Sequence, residues 1–186
     1  MKARHLLLSL WLLLLANPAT AIIDYDLKSL GGNSYQYDYT VTNDGSLGAD
    51  VTIDWFAILF DPGLYEENSL TIVTPEPPAA DWYEDILGSG LLIPAAYDVL
   101  ADVLAWNSGI AVGESVSGFA VQFTWLGTGM PGAQPFEIYD PDNIDVPLAT
   151  GRTRAAGTSV PEPGTLALLF LGAVVASTTW LRRRPR

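Results

Sequence analysis

The sequence contains no cysteine, and its single histidine is His5, four residues from the start. No disulfide can staple the fold, so a packed core must carry the stability. Thiolate nucleophiles, a Ser-His-Asp triad and an ordinary zinc site are excluded from everything after His5. Basic residues are nearly as scarce. No Lys or Arg occurs from Ser29 to Gly151. All 21 acidic residues fall between Asp24 and Glu162, against three basic ones there (Lys28, Arg152, Arg154), a net charge of −18, compared with −12 for the whole chain. Such a surface repels phosphate backbones, which argues against nucleic acid as a partner. There is no glycine-rich phosphate loop between a strand and a helix. Cations, neutral glycans and basic proteins suit this charge better.

What is present sits first at the two ends. Lys2, Arg4 and His5 precede an apolar run from Leu6 to Leu15, broken only by Ser9. Asn17-Pro18 then interrupts any helix, and Ala19 and Ala21 are small residues where a signal peptidase reads. Residues 1–21 therefore read as a signal peptide, cut before Ile22. The other end reads VPEPGTLALLFLGAVVASTTWLRRRPR. Val160, Pro161, Glu162 and Pro163 are stiff. Gly164 to Leu181 is an uncharged run of 18 residues, just long enough for a transmembrane helix, and Arg182, Arg183 and Arg184 mark a cytoplasmic end.

A proline-flanked PEP triplet, an apolar helix and a terminal arginine cluster resemble the sorting signal of PEP-CTERM proteins. That resemblance implies an exported bacterial protein held in the inner membrane, body outside and C-terminus inside. It also implies an exosortase-type membrane protease that recognises Pro161-Glu162-Pro163 within the sorting signal 160–186 and cuts near Val160 to Gly164, removing the apolar span and the basic tail 182–186. A plain C-terminal anchor is the competing reading. Both place the body outside the cytoplasm.

Between these ends the pattern is β. Ser34 to Thr42 alternates, with Tyr35, Tyr37, Tyr39 and Val41 on one face. Further strands are expected at 22–30, 49–60, 69–74, 114–126 and 135–139, with one more at 146–150. Residues 81–87 are ambiguous, and 95–107 mix helical and strand spacing. Gly, Pro and Asn turns separate these runs. The fold class expected is all-β: an antiparallel β-sandwich over residues 22–149, followed by a small polar linker over 150–159. The segments YDYTVTND, IDWFAILFDPGLY and SGFAVQFTWLGTGMPGAQPFEIYDP also resemble the exported domains often joined to PEP-CTERM tails. Those imply an immunoglobulin-like sandwich and supply no catalytic residue.

Two chemistries merit weighing. Asp140, Asp142, Asn143 and Asp145 offer clustered oxygen ligands for calcium. The same residues make a strand-ending turn with solvated carboxylates, which is the preferred reading, so no cofactor is assigned. Trp55, Trp82, Trp106 and Trp125 follow the leader, and aromatic rings stack on sugars. Trp55 and Trp125 lie in apolar strands and read as core. Trp82, after Pro77-Pro78 and beside Asp81 and Glu84, is the candidate glycan contact. No pair of carboxylates stands out as catalytic, and the protein is not expected to be an enzyme. The expectation is a structural or adhesive protein of the cell surface or extracellular matrix. The alternative is a carbohydrate-binding module, with exopolysaccharide as a partner.

Overall fold

The computed structural model describes residues 21–89 and 94–157. Ala19, the sorting residues Val160 to Pro163, the apolar span 164–181 and Arg182 to Arg184 lie outside them. Ala21 lies within and is buried against the core.

Ten strands form two five-stranded sheets. They are β1 (Ile22–Gly31), β2 (Ser34–Thr42), β3 (Trp55–Phe60), β4 (Thr71–Ile72) and β5 (Trp82–Leu87). Then come β6 (Ala95–Ala101), β7 (Ser115–Thr124), β8 (Pro135–Tyr139), β9 (Ala149–Arg152) and β10 (Arg154–Ala155). The first sheet runs β10-β1-β2-β7-β4 and the second β5-β6-β3-β8-β9. Every pairing is antiparallel except β1 with β10. The result is a β-sandwich, as the spacing of short strands and turns implies.

Side-chain alternation sets what each sheet buries. Tyr37, Tyr39 and Val41 of β2 point inward, with Phe119, Val121 and Phe123 of β7. The second sheet answers with Phe56, Ile58 and Phe60 of β3, Tyr97 and Val99 of β6, and Phe136 and Ile138 of β8. Phe119 meets Phe56 edge-on at 5.2 Å and Trp82 at 5.4 Å between ring centroids. Each such ring, fully buried, contributes roughly 1.5–3 kcal/mol. At the β4/β5 edge, Thr74 Oγ1 donates to Glu84 Oε2 at 2.6 Å, and Tyr97 Oη donates to the same carboxylate. The amide of Ala120 in β7 donates to Thr74 Oγ1 at 2.9 Å, so this polar chain joins the two sheets.

Several expectations need correction. Residues 150–155 are not linker. β9 pairs with β8, and β10 pairs with β1, so the body closes at Ala155. Thr153 between them is buried, its hydroxyl accepting from the Gln134 amide at 2.8 Å. The strand expected from Ala49 begins at Trp55, because before it only Ile53 forms a β-bridge, to Ile110. The mixed stretch 95–107 resolves into β6 and a 3-10 turn at Val103–Ala105.

Candidate functional site

The outward face of the second sheet is where unused chemistry collects. Register places Tyr83 of β5, Leu100 of β6, Trp55 of β3 and Tyr139 of β8 side by side. Strands lie about 4.8 Å apart, so this row runs roughly 14 Å across the sheet. Leu148, whose amide donates to Ile138 O at 2.7 Å, stands beyond Tyr139. Tyr83 is 59 % exposed, while Trp55 and Tyr139 are half-buried. The Trp55 and Tyr139 rings lie 4.8 Å apart, tilted by 35°.

The next row along the strands is acidic. Asp85, Asp98, Ala57, Glu137 and Thr150 follow one another across β5, β6, β3, β8 and β9. The carboxylates hold the rings. Trp55 Nε1 donates to Asp98 Oδ1 at 2.6 Å, and Tyr139 Oη donates to Glu137 Oε2. Partial burial raises the Asp98 carboxyl above its usual range; the nearby charge of Asp85 adds to this, and the Trp55 hydrogen bond partly offsets it. Burial and the hydrogen bond to Glu137 push the Tyr139 phenol up to about 12.

Two hollows flank the row. One, of about 410 Å³, is lined by Asp54, Leu100, Ala101, Val103, Asn107, Ser108 and Pro141. The other, of about 220 Å³, includes Asp54, Tyr139, Pro141 and Leu148. Asp54 is common to both; its Oδ2 accepts from Thr52 Oγ1 at 3.0 Å, and its Oδ1 has no partner among the described residues. Gly109 makes room for it: a Cβ there would meet Asp54 Oδ1 at 1.8 Å, and its φ is +77°. Beyond Leu100 the chain turns outward. Asp102 caps the short turn by accepting from the Leu104 amide at 2.8 Å. Trp106 then takes a left-handed conformation and is 94 % exposed, next to exposed Val103 and Leu104.

This arrangement offers flat apolar surfaces edged by hydrogen-bond acceptors. Pyranose rings present that complement, with apolar C–H faces and donor hydroxyls.

The residues singled out from sequence fall elsewhere. Trp82 is a correction: only 5 % exposed, it packs in the core on Phe119 and Phe56 and offers no ring face to a ligand. Its acidic neighbour Glu84 shares its inward phase and is satisfied by Thr74 and Tyr97, so acidity was not a sign of exposure. Trp125 is buried as expected, but Trp55 faces outward. Asp140 accepts from the Asp142 amide through Oδ1 at 2.9 Å and from the Asn143 amide through its carbonyl at 2.9 Å. Asp142, Asn143 and Asp145 are exposed, and among the described residues no three acidic side chains gather as a metal cage would require.

Sequence reasoning missed Trp55, Tyr139, Tyr83 and Asp98. The available signal was phase: in PFEIY, Tyr139 shares its side with Glu137, and in WYEDIL, Tyr83 shares its side with Asp85.

Comparison with known proteins bears mainly on the tail. Residues 159–184 match the PEP-CTERM protein-sorting motif, so the chain carries that sorting signal on a β-rich body. No curated protein matches the chain. Similar solved structures include the chitin-binding domain of Chi18aC from Streptomyces coelicolor, at 17% identity and a TM-score of 0.38, covering 75% of this chain and 98% of that one. The GH20 exo-β-N-acetylglucosaminidase from Vibrio harveyi is similar at 8% identity and a TM-score of 0.37, over 78% of this chain and 19% of that one. A type I cohesin–dockerin complex from Clostridium thermocellum gives 12% identity and a TM-score of 0.34, over 72% of this chain and 99% of that one. Likeness at this level carries no functional argument.

Proposed function

We propose that the protein is an exported, non-catalytic adhesive module that holds polysaccharide on the outward face of its second sheet. The sorting motif at 159–184 supports the route. Signal peptidase removes the leader, the apolar span holds the precursor in the inner membrane with its arginines inside, and an exosortase-type protease cuts near residues 160–164. The sandwich, in this reading immunoglobulin-like, then remains at the cell surface or in the matrix.

One observation carries the binding half: the row Tyr83, Leu100, Trp55 and Tyr139 across four adjacent strands, edged by Asp85, Asp98 and Glu137. An open row of this kind fits an extended chain of sugar rings better than a single enclosed ligand. Ring orientation is fixed before binding by the Asp98 and Glu137 hydrogen bonds, which lowers the ordering cost. The absence of Lys and Arg from Ser29 to Gly151 leaves the face acceptor-rich, suited to hydroxyl donors.

Co-sedimentation of the full-length protein with insoluble polysaccharides tests this. Wild type is expected in the pellet, and Trp55→Ala should weaken retention about tenfold or more, as loss of a central aromatic anchor does. A silent panel of polysaccharides, or Trp55→Ala retained like wild type, removes the binding half. Intact mass of the protein from its host tests the route separately: a chain ending near residue 163 is expected.

A further inference from the structure

Another cavity lies about four residues along β3 from Trp55, some 13 Å from the aromatic row. It has a volume of about 250 Å³, and Leu59, Asp61, Tyr65, Trp125, Gln134 and Arg152 are among its walls. It is separate from the row, and its ligand is assigned without reference to it.

Its polar groups are mismatched. Trp125 Nε1 and Gln134 Nε2 are both buried, and neither has an acceptor among the described residues. Buried N–H groups without acceptors are rare, because the lost solvation is not replaced. The surroundings lock both in place. Tyr39 Oη donates to Gln134 Oε1 at 2.5 Å, which turns the amide nitrogen away from Tyr39. Thr153 fixes the Gln134 backbone from both sides: the Gln134 amide donates to Thr153 Oγ1, and the Thr153 amide donates to Gln134 O, each at 2.8 Å. The Trp125 ring stands edge-on to Tyr65, and a Cβ at Gly127 would strike it at 2.4 Å.

Charge points the same way. The described residues include three cations. Lys28 pairs with Asp38, and Arg154 pairs with Asp24. Arg152 has no carboxylate partner among them; its Nη2 donates only to Ala133 O, at the wall of this cavity. In a body so rich in acid, the one described cation left without a carboxylate lines a cavity whose walls also include Trp125 and Gln134, each with an unmatched donor. A carboxylate on the ligand satisfies Arg152 by a charge-assisted hydrogen bond. Asp61 can only accept, so the ligand also brings a hydroxyl. Leu59 and the Tyr65 and Trp125 rings supply apolar walls. The volume lies below the roughly 300–1,000 Å³ of drug-sized pockets, which limits the ligand to about one ring.

We propose that this cavity binds a hexuronic acid, with its carboxylate on Arg152, its other oxygens on Trp125 Nε1 and Gln134 Nε2, and one hydroxyl donating to Asp61. Saturation-transfer NMR on the full-length chain in detergent, with glucuronate as the probe and glucose and acetate as controls, tests it. Saturable binding of glucuronate is expected, with much weaker signals from both controls. Arg152→Gln should weaken it about tenfold or more. Trp125→Phe keeps a ring and removes only the indole N–H and ring bulk, and should weaken it several-fold. Lys28→Ala, on the far face, should bind like wild type. Absence of saturable glucuronate binding overturns the assignment. So does undiminished binding by both Arg152→Gln and Trp125→Phe. Acetate bound as tightly as glucuronate would show an anion site without sugar recognition, and would overturn it too.

Discussion

The two outward faces of this sandwich have the same pleat and opposite chemistry. On the first sheet, outward positions are Asp24, Asp26 and Lys28 of β1, Gln36, Asp38 and Thr40 of β2, and Ser115, Ser117 and Gln122 of β7. They bond to one another. Gln122 Nε2 donates to Gln36 Oε1 at 3.0 Å, Gln36 Nε2 donates to Asp38 Oδ1 at 2.9 Å, and Lys28 sits 2.9 Å from Asp38. The second sheet turns out Tyr83, Leu100, Trp55 and Tyr139, with Asp54 left partly unpaired beside them. A face already satisfied internally gains little from a partner. A face with apolar rings and spare acceptors gains both area and hydrogen bonds. The contrast supports the second sheet's face as the binding surface proposed above.

Three substitutions probe that contrast. The largest effect is expected from Phe119→Ala, which removes the ring that meets Phe56 and Trp82 between the sheets. A loss of about 3–5 kcal/mol is expected by urea denaturation, with both faces unfolding together. A loss of a few tenths would contradict a shared core.

Asp98→Asn comes next and acts on the aromatic face alone. The folded pKa of Asp98 is raised above its unfolded value, chiefly by burial. The protonated form is therefore favoured by folding. Its contribution to stability is fully present below the ordinary carboxylate range and is lost as pH rises through the raised value. Asparagine does not titrate, yet its amide oxygen still accepts from Trp55 Nε1. Melting curves from about pH 4 to about pH 7 should show a flatter pH dependence for Asp98→Asn and a higher relative stability at the neutral end. Parallel curves would show that Asp98 is not strained by its burial.

Lys28→Ala should have the smallest effect. Its ion pair with Asp38 is open to solvent on the lysine side, so about 0.2–1 kcal/mol is expected, shrinking with added salt. Polysaccharide retention should not change. If it falls as it does for Trp55→Ala, the polar face is also engaged and the contrast fails.

Much of this fold was legible in the sequence, and the aromatic outward face of the second sheet was not. Tyr35 to Val41 announced a strand with one aromatic and one polar phase, but the pattern alone left open whether the tyrosines faced the core or a ligand. PFEIY marked β8 at its true limits. In WFAILF both phases are apolar, so β3 alone cannot say whether Trp55 or Phe56 faces the core. Only the pairing of β3 with Asp98 and Glu137 decides it, and pairing is a long-range property. Trp82 misled because its inward carboxylate neighbour is held by a threonine and a tyrosine distant in sequence. TGRTR read as linker because short edge strands need few apolar residues. Trp125 and Gln134 gave no sign of their unmatched donors, since an orphaned N–H is visible only once everything around it has been placed.

The crossing at Thr153 has a mechanical consequence. β9 belongs to the second sheet and β10 to the first, so the chain passes between them within one buried residue. A pull on the chain beyond Ala155 falls first on the two-residue pairing of β10 with β1 and on the Arg154–Asp24 clasp. If that pairing parts, tension reaches Thr153 and its bonds to Gln134, and then β9 and the sheet that bears the aromatic row. The short parallel strand is thus the first contact to part under such a load, and Thr153 with its two bonds to Gln134 is the next.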